Sequence, residues 1–476
     1  MANVLKAPHA PSRLRRARPA IIEPLAWLAA ATATLLVAVT STHNRTGGAV
    51  LALGVLMCML SIRVFLKHGG PRITALGLFA LSSSVVVGVG AIQEVLSPQN
   101  RTAGIYLQVA VYFSFVAQCL VCYIAWKPCS SSPATGPLIE SRTADILKWF
   151  SCAALTSLTA YKLFANAQGQ VIEASAFAII VLISIGALAS EGRPVRILDI
   201  LLLVGGLGLY AQIYQGGSGR LRLVALAFTI AMIWATTHPT RFFKWYLLAA
   251  APFAVVALAL QRLSLQESLR AGASHGRTGL ESMTEPILVF AQIIQAQAER
   301  GWPLAGGRTL FTLPASLIPG DLGPGALEPL GYELVKITDP GRYGTGYSVA
   351  ATTFGEWWYN FSAYSLVLVV PFLVLALSVL DKAFTRSING LTRRGGTLRF
   401  AIVAMACGSI ADLALMGLHI YGARMLWRIP ATLAVLIVVT LLAGGRRGPS
   451  VTTIRTDARP GAAESAALAR DAPVGH

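Results

Sequence analysis

Charged residues are scarce in this sequence. Only 13% of its 476 residues are Asp, Glu, Lys or Arg, whereas 55% are hydrophobic. Soluble proteins have about a quarter charged residues, so the composition excludes an ordinary soluble enzyme and predicts a polytopic membrane protein. The formal charge of +18 does not indicate nucleic-acid binding. The lysines and arginines lie in short connections between apolar runs, where they set membrane topology.

Cysteines and metal-binding motifs are also few. The six cysteines all lie in or beside apolar segments, which predicts neither a disulfide framework nor a zinc site. Cys119 and Cys122 have a C-x-x-C spacing, but inside an apolar run we interpret them as two small residues on one helix face. The chain contains no D-x-D, D-x-E or E-x-D motif. We therefore expect no bound metal and no other cofactor.

Apolar runs long enough to cross a membrane recur along the chain. They predict an all-α polytopic membrane protein with about 12 transmembrane helices and one large extracytoplasmic loop that contains short helices. The predicted domains are a disordered basic tail over 1–20, a bundle of about nine spans over 21–262, the large loop over 263–358, the last three spans over 359–444 and a disordered tail over 445–476. The predicted spans are at about 21–40, 49–66, 73–95, 105–126, 146–164, 171–190, 196–213, 220–237, 243–261, 359–380, 400–418 and 425–443.

Basic residues fall in every second connection between these runs. Cytoplasmic loops of membrane proteins are enriched in Lys and Arg. This pattern predicts that both termini are cytoplasmic and that the large loop lies outside. The basic residues assigned to inner connections include Lys67, Arg72, Lys127, Arg142, Lys148, Arg193, Arg196, Arg241, Lys244, Lys382 and Arg386.

Apolar residues inside the large loop recur at helical spacing. Leu280, Met283, Ile287, Phe290 and Ile294 form one stripe, which predicts an amphipathic helix that starts near Thr284. The helix either lies along the membrane surface beside an entry for a lipid-linked substrate or packs the loop against the bundle. The sequence leaves both possibilities open.

Four arginines oppose the charge pattern because they fall at predicted outer helix starts. Arg220 and Arg222 follow a GGSG turn, and Arg424 and Arg428 begin the last span. Arginine and free helix N–H groups together bind phosphate well, so these positions predict an anion site for a diphosphate. The alternative is that the arginines extend to lipid headgroups. Asp412, inside the preceding span, is predicted to pair with Arg424 or Arg428.

Three separated segments resemble the Wzy-type O-antigen and exopolysaccharide polymerases, which share a superfamily with the O-antigen ligases. They are GGSGRLRLVALAF (216–228), GWPLAGGRTLFTLPASLIPGDL (301–322) and TTFGEWWYNFSAYS (352–365). Their order, and a large outer loop before the last three spans, carry the resemblance. The chain departs from it at Gly320 and Asp321, where many relatives have a basic residue.

The resemblance implies a GT-C-like membrane glycosyltransferase in the bacterial inner membrane. Its substrate would be an oligosaccharide repeat unit on undecaprenyl diphosphate, with a flippase and a chain-length regulator as further partners. Because a diphosphate leaving group can be stabilised by arginines, we expect metal-independent chemistry. The expected catalytic residues are Glu356 and His275, and the expected substrate-binding residues are Arg220, Arg222, Arg277, Arg308, Arg342, Tyr347, Asn360 and Arg424.

Two alternatives remain at this stage. An O-antigen ligase-like transferase also fits. His275 and Arg277 lie in an SHGR segment of the predicted outer loop, and the resemblance implies that ligases rely on a His and on arginines of that loop. A polysaccharide flippase or transporter would share the number of spans. The sequence shows no internal repeat, and its ionisable residues cluster outside the predicted midplane, which favours a transferase.

Overall fold

The computed structural model of the protein describes residues 26–34, 46–96, 104–126, 139–166, 169–191, 194–214, 220–240, 242–253, 256, 281–312, 328–345, 347–391 and 395–444. Most of these residues are helical, and the strand-like pairing among them is a single parallel bridge between Ile139 and Ser190. A helix satisfies its own backbone N–H and C=O groups, which a lipid environment cannot do. The chain is an all-α membrane protein, as predicted.

The helices are numbered here in chain order, and two long ones contain a π-helical segment. They are α1 (26–34), α2 (Thr46–Lys67), α3 (Ala75–Leu96), α4 (Gly104–Ala125), α5 (Ser141–Phe164), α6 (Gln170–Leu188), α7 (Ile197–Tyr214), α8 (Arg220–Thr237), α9 (243–253), α10 (Glu281–Arg300), α11 (Leu330–Thr338), α12 (Thr352–Phe361), α13 (Ser365–Asn389), α14 (Gly396–Gly408), α15 (Ile410–Met416) and α16 (Leu418–Gly444).

Within the described part of the chain, eight helical segments are long and apolar enough to cross a membrane. The segment formed by α12 and α13 counts as one of them, and so does the segment formed by α14 and α15. The eight are Gly47–Lys67, Ala75–Leu96, Gly104–Ala125, Gln170–Leu188, Ile197–Tyr214, Thr352–Asn389, Gly396–Met416 and Leu418–Val439.

Four of the 12 predicted spans are not among these eight. Only parts of the predicted spans at 21–40 and 243–261 lie within the described residues. The predicted span at 220–237 corresponds to α8, whose apolar part, Leu221–Thr237, is shorter than the others. The predicted span at 146–164 lies in α5, a helix with several hydroxyl side chains and with Lys148 and Lys162.

Glycines allow the long helices to approach closely. A Cβ atom on Gly54 of α2 would lie 2.8 Å from the carbonyl oxygen of Gly88 in α3. A Cβ atom on Gly186 of α6 would lie 2.7 Å from the carbonyl oxygen of Ala144 in α5. Lipid tails are as apolar as the helix surfaces, so the hydrophobic effect does little to hold membrane helices together. Small residues let the backbones approach closely, and close packing then stabilises the helix pair.

The predicted amphipathic helix of the loop exists as α10. It begins at Glu281, three residues before the predicted start, and Ile287, Phe290 and Ile294 are all buried. The Phe290 ring contacts the Phe113 ring of α4 edge to face, with 6.0 Å between their centroids. The helix therefore packs against the bundle, as the second of the two possibilities left by the sequence predicts.

The π-helical segments lie in α3 (Ser84–Val89) and at the end of α7 (Tyr210–Tyr214). Such segments are rare and often occur at functional sites. In α7 the two tyrosine rings stack with 6.3 Å between their centroids, and both are buried. The Tyr210 hydroxyl donates a hydrogen bond to the Glu173 carboxylate of α6.

Candidate anion-binding site

Three helix starts surround a small cleft, which we call the arginine cleft. α6 begins at Gln170, α8 at Arg220 and α16 at Leu418. The cleft has a volume of about 110 Å³. It is lined by Gln170, Glu173, Ala174, Arg222, Ile420, Ala423, Arg424, Trp427 and Arg428.

Glu173 organises one wall of the arginine cleft. It lies in the first turn of α6 and is buried. Its Oε2 pairs with the guanidinium of Arg222 from α8, and its Oε1 accepts a hydrogen bond from the Tyr210 hydroxyl at 2.5 Å. The buried Nε of Arg222 has no hydrogen-bond partner in the described structure. This donor can bind a ligand acceptor, and burying it without one would be unfavourable.

Asp412 organises the opposite wall. It is fully buried in α15, where it pairs with Arg424 and lies 3.6 Å, from Oδ2 to Nη1, from Arg428. The Arg428 Nη1 donates to the Ser409 hydroxyl at 2.6 Å, and its guanidinium carbon lies 3.9 Å from the Phe177 ring centroid. The prediction that Asp412 pairs with an arginine of the next helix is confirmed.

The charges in and next to the cleft do not cancel. Three lining arginines (Arg222, Arg424 and Arg428) pair with Glu173, which also lines the cleft, and with Asp412, which does not, so one positive charge remains. Arginine stays charged at any physiological pH, and a partly buried charge is screened less than one in water. The positive ends of the surrounding helix dipoles also favour an anion. The arginine cleft can therefore bind a phosphate or diphosphate.

Glu356 does not line the cleft but lies beside it. Its side chain has no exposed surface, and Oε2 accepts a hydrogen bond from the backbone N–H of Leu418 at 2.6 Å. Leu418 starts α16, and Arg424 follows six residues later, about 9 Å along the helix axis. Glu356 thus holds the start of the helix that carries two of the cleft's arginines. Its predicted role as a base stays a prediction, and this burial favours a positioning role.

Asn360 fastens the segment after α10 to α12. Its side-chain Oδ1 accepts from the Gly307 N–H at 3.0 Å, and its Nδ2 donates to the Thr309 hydroxyl at 2.6 Å. Three residues further on, the Thr312 hydroxyl lies 2.7 Å from Nδ1 of His419, in the first turn of α16. Asn360 is 1% exposed and does not line the arginine cleft, so its hydrogen bonds organise the segment after α10.

The remaining described candidates lie away from the arginine cleft. Arg308 pairs with Glu333 of α11. Arg342 pairs with Asp339 at 3.1 Å and lies over the Tyr347 ring at 5.2 Å. These residues form a separate, more exposed charged surface on the loop.

Three predicted residues cannot be placed in the site. Arg220 is the first residue of α8, next to the cleft, but the description does not extend to its side chain. His275 and Arg277 lie outside the described residues.

Glu173 and Tyr210 are site residues that the sequence reasoning missed. The available signal was a carboxylate in the first turn of an apolar helix, where an ionisable group is unfavourable unless it has a partner. That partner, Arg222, was already a candidate, 49 residues further along the chain.

No group of three or more His, Cys, Asp or Glu side chains suited to a metal ion occurs within the described ranges. No protein-family model, curated protein or solved structure matches this chain.

Proposed function

We propose that this protein is a membrane glycosyltransferase that uses a lipid-linked donor. It polymerises undecaprenyl-diphosphate-linked oligosaccharide repeat units into O-antigen or exopolysaccharide at the outer face of the bacterial inner membrane. The observation that carries the proposal is the arginine cleft, with its surplus positive charge at the starts of three apolar helices. The proposal retains twelve spans, cytoplasmic termini and a large outer loop.

The chemistry requires stabilisation of a leaving diphosphate. When the sugar–phosphate bond breaks, negative charge grows on the phosphate while the sugar becomes oxocarbenium-like. Arg222 and Arg424 are partly exposed at the cleft, whereas Arg428 is nearly fully buried behind them. Arg222 and Arg424 are therefore proposed to contact the diphosphate, and Arg428 to hold Asp412 in place. Arginines aimed at the developing charge can act without a metal ion.

The acceptor hydroxyl needs a hydrogen-bond acceptor within reach. His275 remains the proposed base because Glu356 is enclosed by protein. Glu356 instead fixes the position of Leu418 and thereby the first turns of α16. The exposed loop surface formed by Arg308, Arg342 and Tyr347 is proposed to contact the glycan. A flippase would supply the substrate, and a chain-length regulator would limit the product.

The test is complementation of a deletion strain with Arg222→Gln and Arg424→Gln variants. Surface glycan is resolved by length, and lipid-linked intermediates are extracted in parallel. Loss of one preorganised contact to developing charge lowers turnover by roughly 10²–10³-fold, so we expect long chains to disappear while single units accumulate. Arg142→Gln is the matched control, because Arg142 is an exposed arginine of α5 that does not line the cleft.

The accumulated intermediate distinguishes the alternatives. Long lipid-linked chains that never reach a final acceptor would identify a ligase. Unpolymerised units trapped on the cytoplasmic leaflet would identify a flippase and refute the proposal. Activity that is abolished by EDTA and restored by a divalent ion would contradict the metal-independent chemistry.

A further inference from the structure

A second cleft lies where the ends of three membrane helices meet the side of α13. The end of α2, the start of α3 and the end of α4 contribute His68, Leu76 and Ala125. One face of α13 contributes Leu377, Ser378, Asp381, Lys382, Thr385 and Arg386. We call it the basic-rimmed cleft. Its volume is about 260 Å³, and it shares no lining residue with the arginine cleft.

Asp381, which lines this cleft, and Lys244, which is bonded to the backbone of the lining residue His68, already have protein partners. Asp381 Oδ1 accepts from the Ala75 N–H at 2.6 Å and so caps the start of α3. The Lys244 ammonium donates to the carbonyl oxygens of Phe65 and His68, both at 2.7 Å, and so caps the end of α2. These groups fix the helix ends.

His68 adds no positive charge to the cleft. Burial, together with the nearby Lys244 ammonium, lowers the pKa of His68 to about 4. Its Nδ1 lies 2.8 Å from the Thr74 hydroxyl, whose oxygen also accepts from the Gly77 N–H at 3.1 Å. The Thr74 hydroxyl can therefore donate its hydrogen to an unprotonated Nδ1 of His68. With this lowered pKa, the imidazole is neutral at physiological pH.

Lys382 and Arg386 are different, because neither makes an ion pair with any carboxylate in the described structure. Both are exposed, and they lie four residues apart on one face of α13. Like charges at this spacing repel each other. A bound anion would remove that repulsion.

The walls below these two cations are apolar. Leu76, Ala125 and Leu377 line the cleft on three different helices. The cleft also lies at the ends of helices that are long and apolar enough to cross a membrane, and the ends of such helices are expected near the lipid headgroups. A ligand that fits both the cations and the walls carries phosphate at one end and hydrocarbon at the other. Basic pockets between membrane helices bind anionic lipid headgroups in this way.

We infer that the basic-rimmed cleft binds an anionic phospholipid of the surrounding leaflet, with its phosphate between Lys382 and Arg386 and an acyl chain against Leu76 and Leu377. The occupant is a lipid rather than a soluble phosphate, because only a lipid also carries a hydrocarbon chain that packs against the apolar walls. The site is independent of the function proposed for the arginine cleft.

The test compares lipid binding by the full chain and a Lys382→Gln/Arg386→Gln variant. Each protein is purified in detergent and titrated with phosphatidylglycerol, phosphatidylcholine or inorganic phosphate, and bound lipid is counted by native mass spectrometry. We expect selective phosphatidylglycerol binding by the wild type, weakened by roughly thirty-fold in the variant, the loss expected for two cations beside a lipid headgroup.

Two further variants separate the cleft from general surface charge. Arg142→Gln/Arg399→Gln removes two exposed arginines that do not line the cleft, in the first turns of α5 and α14, and should bind phosphatidylglycerol like the wild type. Ser378→Phe fills the cleft without changing charge and should weaken binding. Equal losses in both double variants, unaffected binding in Ser378→Phe, or displacement of the lipid by millimolar inorganic phosphate would each overturn the assignment.

Discussion

Replacing Gly417 with alanine tests how Glu356 holds the start of α16. Gly417 has a φ of +85° and a ψ of −174°, a conformation that is essentially restricted to glycine and costs other residues about 1–3 kcal/mol. An added Cβ would also lie 2.8 Å from the Glu356 carboxyl carbon and still closer to its Oε2. Overpacking of this kind adds about 1–3 kcal/mol. We expect Gly417→Ala to lose about 2–6 kcal/mol of stability, seen as a lower thermal unfolding midpoint in detergent.

Gly344→Ala is the matched control for this change. Gly344 has a φ of +83°, but a Cβ there would have no neighbour within 4 Å, so the variant should show only the backbone strain. Adding Glu356→Ala to Gly417→Ala should relieve the clash, making the double variant more stable than the sum of the single changes predicts. Equal midpoints for Gly417→Ala and Gly344→Ala, or additive losses in the double variant, would refute this reasoning.

Three more predictions concern described residues away from the arginine cleft, each read from thermal unfolding in detergent. Because the pKa of His68 is lowered from 6.5 to about 4, the unfolded chain binds the extra proton, and stability should fall as pH drops below 6.5, by up to about 3 kcal/mol near pH 4. A His68→Gln variant should lack this part of the pH dependence; an unchanged profile would contradict it. Lys148 and Asp199 form a buried pair at 2.9 Å, so Lys148→Met should cost about 3–5 kcal/mol, and Lys148→Met/Asp199→Leu should recover most of it. If the double variant unfolds at the same temperature as Lys148→Met, the unpaired Asp199 carboxylate is not the cause of the lost stability. Asn360→Ala leaves the Gly307 N–H without its side-chain acceptor and should cost about 1–3 kcal/mol while increasing protease cleavage near residues 301–312; resistance equal to wild type would show that the segment is held by other contacts.

The sequence located the arginine cleft because its arginines break a rule. Lysine and arginine normally mark cytoplasmic connections, so Arg222 and Arg424 were conspicuous at helix starts that are predicted to lie outside. The pairing of Asp412 followed from the unfavourable energy of a lone carboxylate inside an apolar helix. These inferences use only local sequence and membrane physics, which is why they could be made without a structure.

Contacts between distant segments could not be predicted in the same way. Glu356 was predicted as a catalytic residue, but its partner Leu418 lies 62 residues away and contributes a backbone N–H, which leaves no sequence signal. One predicted span lies in α5, which is not among the eight described segments that are long and apolar enough to cross a membrane, and its Lys148 is paired with Asp199 of another helix. Hydropathy considers one segment at a time, whereas the environment of these residues is set by their neighbours in the fold.

The π-helical end of α7 has a consequence for how this chain tolerates insertions and deletions. A π-helical turn holds one residue more than an α-helical turn, so the segment Tyr210–Tyr214 behaves like a single-residue insertion inside a helix. The wider turn absorbs the extra residue, so deleting Ala211 would restore α-helical winding and leave the faces before and after the segment nearly unchanged. In a regular α-helical stretch of α7, by contrast, removing one residue would rotate everything beyond it by about 100°. The segment Tyr210–Tyr214 therefore tolerates a one-residue deletion that would shift the phase of the helix elsewhere.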